Sequence, residues 1–195
     1  MNASYKPFFA PFVDNMIHEM SGLESVNLGP FVGGCDLGVG DRGVLLLGVT
    51  DMGSRYHVLY EFDDRGEGLQ GLLEQNEDLR WLKPYTIVLG PDGVNRSVHD
   101  GRNAVDIIED MGLGTRVSRQ SVRSGLSRIR SLITTDPGQC DITIEPRCSR
   151  LLDDLRRYAV KHGDRDGYEC VTPEASHSVD ALRYMVDRAI NLQPV

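Results

Sequence analysis

The stretch GGCDLGVGDRGVLLLGVT, residues 33–50, contains two apolar segments separated by a glycine-rich turn. Pro30 to Leu37 is predicted to be the first strand and Val44 to Thr50 the second, and the turn between them has hairpin length. The first strand carries one carboxylate, Asp36, near its end. A lone ionised aspartate in a buried strand costs several kcal/mol unless it is paired, protonated or bound to a metal. We therefore expect Asp36 to have a partner.

The remaining elements predict an α/β fold. Arg55 to Phe62 alternates apolar and polar residues, so the first three strands should form an antiparallel meander. Gly68 to Leu82 is predicted to be a helix and Tyr85 to Leu89 a short buried strand. The later predictions are helices at Asn103–Met111, Ser121–Ile133, Cys148–His162 and Ser176–Ile190, a fifth strand at Asp141–Ile144 and a loop at 163–174. This order predicts a mixed five-stranded sheet, with three antiparallel strands and then parallel ones, covered by helices on both faces.

Length and composition predict one intracellular globular domain. A chain of 195 residues is long enough for one sizeable core. Residues 1–29, with a possible helix from Pro11 to Met20, are interpreted as an N-terminal extension or linker, and residues 30–195 as the domain. The sequence has neither an apolar run of about 18 residues nor the pattern of a secretory signal. The four cysteines lack metal-binding spacing and are expected to be reduced thiols.

The charge of the chain is unevenly distributed. A net charge of −8 argues against binding nucleic acid through the whole surface, because phosphates would be repelled. Between Met111 and Thr135 there is no acidic residue, and five arginines occur there: Arg116, Arg119, Arg123, Arg128 and Arg130. Either a solvated helix face or a track of DNA phosphate contacts would explain them. No lysine has the context of a Walker A phosphate loop, so the sequence contains no P-loop motor motif.

Three aspartates are candidate metal ligands, and each also has a simpler explanation. Asp36 ends a strand, where it would alternatively cap the glycine turn that follows. Asp92 follows the strand YTIVLG at the kind of sheet edge where sites assemble, but Pro-Asp-Gly is also a common turn sequence. Asp180 lies near the start of the last helix, where the helix dipole favours acidic residues and Ser176 would be the N-cap.

The last predicted helix has a polar face. At 100° per residue, its residues His177, Asp180, Tyr184 and Asp187 fall within roughly 80° of one another, away from the apolar stripe of the same helix. We expect these four side chains to share one side of a site.

Carboxylates from two strand ends and one helix are suitable ligands for two hard divalent cations. Mg²⁺ and Mn²⁺ prefer oxygen ligands, and two ions about 3.5–4 Å apart need several carboxylates to offset their charge. At such a site one ion activates water and the other stabilises the leaving 3′-oxygen of a phosphodiester, while His177 would orient the water or the phosphate. Two dications would also change the net charge from −8 to about −4, with the change concentrated where a phosphate must lie.

Several motifs in residues 30–190 resemble those of one viral family. They are GCDLG at 34–38, YTIVLGPD at 85–92, SVRSGLSRIRSLIT at 121–134, CDITIEPRCSRLLDDLRRY at 140–158 and HSVDALRY at 177–184. The last is the most specific, because histidine stands three residues before aspartate and an Ala-Leu-Arg-Tyr tail follows. The chain thus resembles the C-terminal nuclease domain of the large terminase subunit of tailed bacteriophages, in the RNase H-like superfamily.

The resemblance implies an endonuclease that cuts concatemeric viral DNA in the cytoplasm of an infected bacterium. It implies two Mg²⁺ or Mn²⁺ ions held by Asp36, Asp92 and Asp180, with His177 beside them. It also implies three partners besides double-stranded DNA, namely a packaging ATPase domain, a small terminase subunit and a portal. The chain departs from the family at Gly90-Pro91, which separates the strand from Asp92, so Asp100 is an alternative second ligand.

Other functions compatible with the sequence remain open. A different RNase H-like nuclease, such as a Holliday-junction resolvase, would use similar carboxylates on a branched substrate. A DNA-binding or assembly module of the same fold would use the five arginines without cutting DNA. An actin-like phosphotransferase needs two lobes, for which 195 residues are too few. The arginines would contact phosphates more than bases, so low sequence specificity is expected.

Overall fold

A six-stranded mixed sheet forms the centre of the protein, in the strand order β5-β4-β1-β2-β3-β6. The structure is a computed structural model that describes residues 5, 7–17, 31–37, 43–50, 55–63, 86–95, 102–133, 140–161 and 169–187. The strands of this sheet are β1 (Phe31–Asp36), β2 (Val44–Thr50), β3 (Tyr56–Asp63), β4 (Thr86–Leu89), β5 (Gly114–Val117) and β6 (Ile142–Ile144).

The predicted meander and the mixed α/β class are confirmed. Strands β1, β2 and β3 pair antiparallel in sequence order. Strand β4 then pairs parallel with β1, and β6 pairs parallel with β3. A bulge between Leu47 and Gly48 shifts the register of β2 and β3, which keeps Val58 and Glu61 on the same sheet face despite their odd spacing.

The prediction of five strands was wrong by one, because β5 was missed. This strand has four residues, lies at the edge of the sheet beside β4 and has no fully buried residue. A short, partly exposed edge strand lacks the apolar run by which a buried strand is recognised. The helix before it ends at Asp110 and is followed by Gly112, whose φ of +76° suits glycine, and the amide of Leu113 donates to the carbonyl of Ile108. That turn directs the chain into β5.

Helices cover both faces of the sheet, as predicted. The helices are α1 (Val13–Met16), α2 (Ala104–Asp110), α3 (Val122–Leu132), α4 (Ser149–Arg157) and α5 (Ser176–Met185). Helix α2 packs on one face against Leu45, Leu47 and Ile87, and the other four helices pack on the opposite face. The predicted helix at Gly68–Leu82 lies outside the described residues. No helix among the described ranges is long and apolar enough to cross a membrane.

Several element ends differ from the sequence prediction, and the last helix, predicted to reach Ile190, ends at Met185. The helix predicted at Cys148–His162 ends at Arg157, because Val160–Lys161 (β7) pairs antiparallel with Glu169–Cys170 (β8). The region predicted as a loop at 163–174 therefore contains a short strand, and it also contains a 3-10 turn at Pro173–Ala175.

The segment 7–17 packs into the same core as the sheet. Its side chains Phe9, Val13 and Met16 are fully buried, and the amide of Phe8 donates to the carbonyl of Tyr158 at 2.7 Å. It contains a 3-10 turn at Ala10–Phe12 followed by α1, where the sequence predicted one helix from Pro11. The domain boundary at residue 30 stays a prediction, but part of the predicted extension belongs to the core.

Candidate metal centre

Helix α5 lies directly on the sheet because three glycines leave room for it. A Cβ atom on Gly34 of β1 would overlap the carbonyl oxygen of Ala181 and come within 2.7 Å of the amide of Met185. A Cβ on Gly90 would be 2.7 Å from the hydroxyl of Tyr184, and one on Gly48 would meet the carbonyl oxygen of His57 on β3 as well as the Met185 side chain. At Gly34 the helix backbone thus approaches β1 more closely than any side chain would allow.

The polar face of α5 follows the carboxyl ends of three neighbouring strands. Its first member, His177, meets Asp36 at the end of β1. Tyr184 lies over Gly90, just after β4. Asp187, two residues beyond the end of α5, accepts a hydrogen bond from Ser118, just after β5, with 2.6 Å between Oγ and Oδ2. The expected polar face of α5, continued by Asp187, therefore borders the edge of the sheet where β1, β4 and β5 end.

Asp36 has His177 as its partner. Nδ1 of His177 lies 2.7 Å from Oδ2 of Asp36, and the two side chains are 25% and 17% exposed. Burial raises the pKa of Asp36 above its usual value, and the negative charge of Asp180 raises it further. The hydrogen bond from His177 and the positive charge of Arg183 act in the opposite direction. The alternative in which Asp36 caps the glycine turn involves residues 38–42, which lie outside the described part of the chain.

Asp180 pairs with Arg183, one turn further along the same helix. Nε of Arg183 donates to Oδ1 of Asp180 at 2.8 Å. Burial lowers the pKa of the Arg183 guanidinium, but the charge and hydrogen bond of Asp180, together with Tyr184 and Tyr158, act in the other direction, and the pKa is raised overall. The simpler explanation of Asp180 was wrong, since the N-cap of α5 is Ala175 and the first turn holds no acidic residue. Ser176 instead donates its hydroxyl to the carbonyl of Pro173.

Asp92 lies apart from this pair of carboxylates. It sits on an exposed 3-10 turn, Pro91–Val94, and its Oδ1 accepts a hydrogen bond from Asn95 at 2.9 Å. Because β4 is the parallel neighbour of β1, Asp92 and Asp36 lie at the same edge of the sheet. Within the described ranges, however, no three His, Cys, Asp or Glu side chains come close enough to share a metal ion. The role of Asp92 stays a prediction, and Asp100 lies outside the described residues.

The five predicted DNA-binding arginines have different surroundings. Arg116 lies on β5 and Arg119 in the exposed segment after it, whereas the other three lie on α3. The guanidinium of Arg128 lies 6.0 Å from the centre of the Tyr56 ring. That of Arg130 lies 5.5 Å from the Phe8 ring and 5.7 Å from the Phe12 ring. Two of the five therefore pack against aromatic rings of the fold, and the DNA-binding role stays a prediction for all five.

Two residues of the site, Arg183 and Gly125, were given no role by sequence reasoning. Arg183 was part of the motif HSVDALRY, and its spacing of three residues from Asp180 is a recognisable ion-pair signal on a helix. Gly125 carries no comparable signal, since only the packing of α3 against α5 shows why glycine is present there.

Solved structures share this fold. The P22 large terminase nuclease domain matches 92% of this chain with a TM-score of 0.67 and 15% identity, and 89% of that domain is covered. The chain has the fold of a large-terminase nuclease domain. The predicted resemblance and the RNase H-like class are thus confirmed at the level of the fold.

Two further large-terminase structures define the extent of the similarity. The large terminase nuclease from thermophilic phage G20c, solved with bound magnesium, matches 95% of this chain and 98% of its own with a TM-score of 0.63 and 14% identity. The same G20c nuclease has also been solved with bound cobalt. The large terminase of a second thermophilic bacteriophage matches 89% of this chain at 14% identity and a TM-score of 0.66, but only 41% of its own length is covered. The chain therefore spans about two fifths of that protein.

Comparisons of the amino-acid sequence alone find no relative. No protein-family model matches the chain, and no curated protein matches it.

Proposed function

We propose that this protein is a metal-dependent endonuclease that cuts concatemeric double-stranded DNA during viral genome packaging. The observation that carries the proposal is the convergence of Asp36, His177 and Asp180 at the carboxyl edge of the sheet. The fold supports it, because a large-terminase nuclease with this fold has been solved with bound magnesium.

The two carboxylates fit a hard divalent cation. Each is mostly buried, and each has one oxygen engaged by a side chain of α5. Within the described residues, Oδ1 of Asp36 and Oδ2 of Asp180 accept no hydrogen bond. Each carboxylate therefore retains one oxygen for a cation, and their mutual repulsion favours binding one. We propose two Mg²⁺ or Mn²⁺ ions, with Asp92 as the third carboxylate ligand.

The protein side chains and the cations would divide the chemistry. Bound cations would supply a site that acidifies water and offsets charge on the leaving oxygen. When Asp36 is ionised it accepts a hydrogen bond from Nδ1–H of His177, which leaves Nε2 of the neutral imidazole able to accept a proton. His177 would therefore orient the attacking water or the scissile phosphate, and Asp36 would hold the imidazole in that tautomer.

The proposed partners come from the resemblance to large terminases. They are a packaging ATPase domain, a small terminase subunit and a portal, in the cytoplasm of an infected bacterium. A binding site for these partners would account for the choice of cut site, because arginine–phosphate contacts carry little sequence information.

The proposal is tested by nicking of supercoiled plasmid in Mn²⁺ or Mg²⁺. We expect Asp36→Asn to abolish nicking, whereas Asp153→Asn, an exposed carboxylate on α4, should cut as the unaltered protein does. Asp36→Asn should not lower the Tm at pH 7, because the pKa of Asp36 is raised in the folded protein. A carboxyl group whose pKa is raised by folding stabilises the protein at pH values below its pKa in the unfolded chain. That stabilisation is lost as the pH rises through the pKa of the folded state. A neutral asparagine does not ionise and therefore does not lose it.

Asp180→Asn should also abolish nicking, but with a lower Tm, because Arg183 would lose its charge partner. Normal cleavage by both variants would contradict the proposal. The second candidate function is a non-catalytic DNA-binding module, because no third metal ligand is present among the described residues. Salt-sensitive DNA binding without cleavage by the unaltered protein would favour it. Faster cleavage of four-way junctions than of linear duplex would favour a resolvase.

A further inference from the structure

Arg183 is a buried cation whose charge is offset by one carboxylate. The residue is 3% exposed, and its only ion pair among the described residues is with Asp180. Its Nη2 donates to the hydroxyl of Tyr184 at 3.4 Å, and the guanidinium lies 4.9 Å from the centre of the Tyr184 ring. Nη1 is buried and donates to no acceptor within the described chain. Asp180 therefore cannot rotate away from Arg183 without leaving a buried charge unpaired.

The position of Arg183 depends on a glycine of the neighbouring helix. A Cβ atom at Gly125 of α3 would lie 2.5 Å from Cδ and 2.6 Å from Cγ of Arg183. The arginine side chain thus crosses α3 at the one place where α3 has no side chain in its path. The oxygen Oε1 of Gln120 lies 2.9 Å from the same point, so the space next to Gly125 is already filled.

Arg183 and His177 each form a hydrogen bond with one of the two carboxylates. His177 precedes Asp180 by three residues and engages Asp36, whereas Arg183 follows Asp180 by three residues and engages Asp180 itself. Each interaction occupies one carboxylate oxygen. Both carboxylates are therefore oriented by donors on one helix.

We propose that Arg183 is a positioning residue that fixes the Asp180 carboxylate in its cation-binding orientation, and that Gly125 is required because it leaves room for the Arg183 side chain. This inference rests on the proposed function, since it assigns Asp180 as a cation ligand. Outer partners that orient a ligand typically contribute 10–100-fold to metal affinity.

The test measures Mn²⁺ affinity by electron paramagnetic resonance and plasmid nicking for the same variants. We expect Arg183→Gln to weaken Mn²⁺ binding about 10–100-fold. Gly125→Ala should weaken it in the same way, because the added methyl displaces the arginine. Mn²⁺ affinity is measured well below the Tm of every variant, so a general loss of stability caused by the added methyl, which the helix propensity of alanine partly offsets, does not enter the comparison. Ser124→Ala, an exposed neighbour on α3, is the control and should bind Mn²⁺ normally.

The double variant Arg183→Gln/Gly125→Ala shows whether Gly125 acts on Mn²⁺ binding through Arg183 or independently of it. In an Arg183→Gln background no guanidinium is left to be displaced from Asp180, so Gly125→Ala should cause no further loss of Mn²⁺ affinity. If Arg183→Gln does not fold, Gly125→Ala and Arg183→Lys carry the test. The inference is overturned if the unaltered protein cuts DNA but Gly125→Ala and the folded Arg183 variant bind Mn²⁺ with unchanged affinity. Absence of cutting and of Mn²⁺ binding in the unaltered protein would instead contradict the proposed function.

Discussion

At the scale of residues, the protein stabilises charged groups in the interior by pairing each with a specific partner. Asp36 is paired with His177, and Asp180 with Arg183. Glu61 on β3 is held differently, because its Oε2 accepts the amide of Arg150 at the start of α4. Burial nevertheless raises the pKa of Glu61 from 4.5 to about 7, against the hydrogen bonds from the amides of Leu151 and Arg150. A negative charge on Glu61 is therefore unfavourable near neutral pH.

The raised pKa of Glu61 predicts a pH-dependent stability. A carboxyl group whose pKa is raised by folding contributes stability that is fully present at pH values below its pKa in the unfolded chain. This stability is lost as the pH rises through its pKa in the folded protein. The Tm of the unaltered protein should therefore fall relative to that of Glu61→Gln as pH rises from about 4.5 to about 7. After allowance for partial exposure we expect a relative change of about 2–4 °C. Thermal melts from pH 4 to pH 8 measure it, with exposed Glu174→Gln as control, and parallel curves for all three proteins would contradict it.

At the scale of elements, the site depends on how α5 is held against the sheet and the other helices. Gly34, Gly48 and Gly90 let it lie on the strands. Its first turn is tied to α4, because the buried hydroxyl of Ser178 donates to Oδ2 of Asp154 at 2.7 Å. Ser178 is the neighbour of His177, so this hydrogen bond also restrains the residue that contacts Asp36. The position of the site is thus a property of α5 as a packed element.

Gly34→Ala tests the close approach of α5 to the sheet. The new Cβ would overlap the backbone of Ala181 and lie 2.7 Å from the amide of Met185, and a helix backbone cannot move aside as a flexible side chain does. We expect a loss of about 3 kcal/mol of stability, or about 6–12 °C in Tm, together with loss of nicking. Gly112→Ala is the comparison, since its φ is positive but nothing lies within 4 Å of the new atom, and it should cost about 1 kcal/mol. Equal effects of the two variants would contradict this account.

At the scale of the whole molecule, the basic residues between 111 and 135 are divided between packing and surface. Arg130 stacks against the rings of Phe8 and Phe12 and so joins α3 to the segment 7–17. Arg123, seven residues earlier on the same side of α3, is exposed, and Arg130 is exposed as well. A net charge of −8 makes any DNA contact local, so arginines that do not stack on aromatic rings should contribute to it more than the stacked ones.

Paired substitutions of these arginines separate the two roles. Arg123→Gln should weaken binding to DNA of any sequence and reduce the slope of log affinity against log salt by about 1, with an unchanged Tm. Arg130→Gln should instead lower the stability by about 1 kcal/mol, because it loses the contacts with two aromatic rings. Filter binding at several salt concentrations and thermal melts measure the two effects. If both variants weaken DNA binding equally, the arginines form one continuous surface of phosphate contacts, which is one of the two explanations of the five arginines given by the sequence.

The amino-acid sequence by itself determined the local features of this protein. The antiparallel meander, the strand that carries Asp36 and the polar face of α5 all follow from periodicities of two and 3.6 residues and from turn residues, which act over short distances. The strand Gly114–Val117 lacked such a pattern, so it was missed. The end of α4 at Arg157 was missed because the pairing of Val160 with Cys170 interrupts a helical pattern that continues in the sequence.

Only the tertiary structure decided how the site is assembled. Asp36 and His177 are 141 positions apart in the chain, and their hydrogen bond exists because α5 lies across β1 at Gly34. The ion pair of Asp180 with Arg183 is local, but the burial of Arg183 depends on α3 packing against it at Gly125. Periodicity assigns a residue to a face of its own element, whereas the partner of that face depends on the packing of distant elements, which one local pattern does not encode.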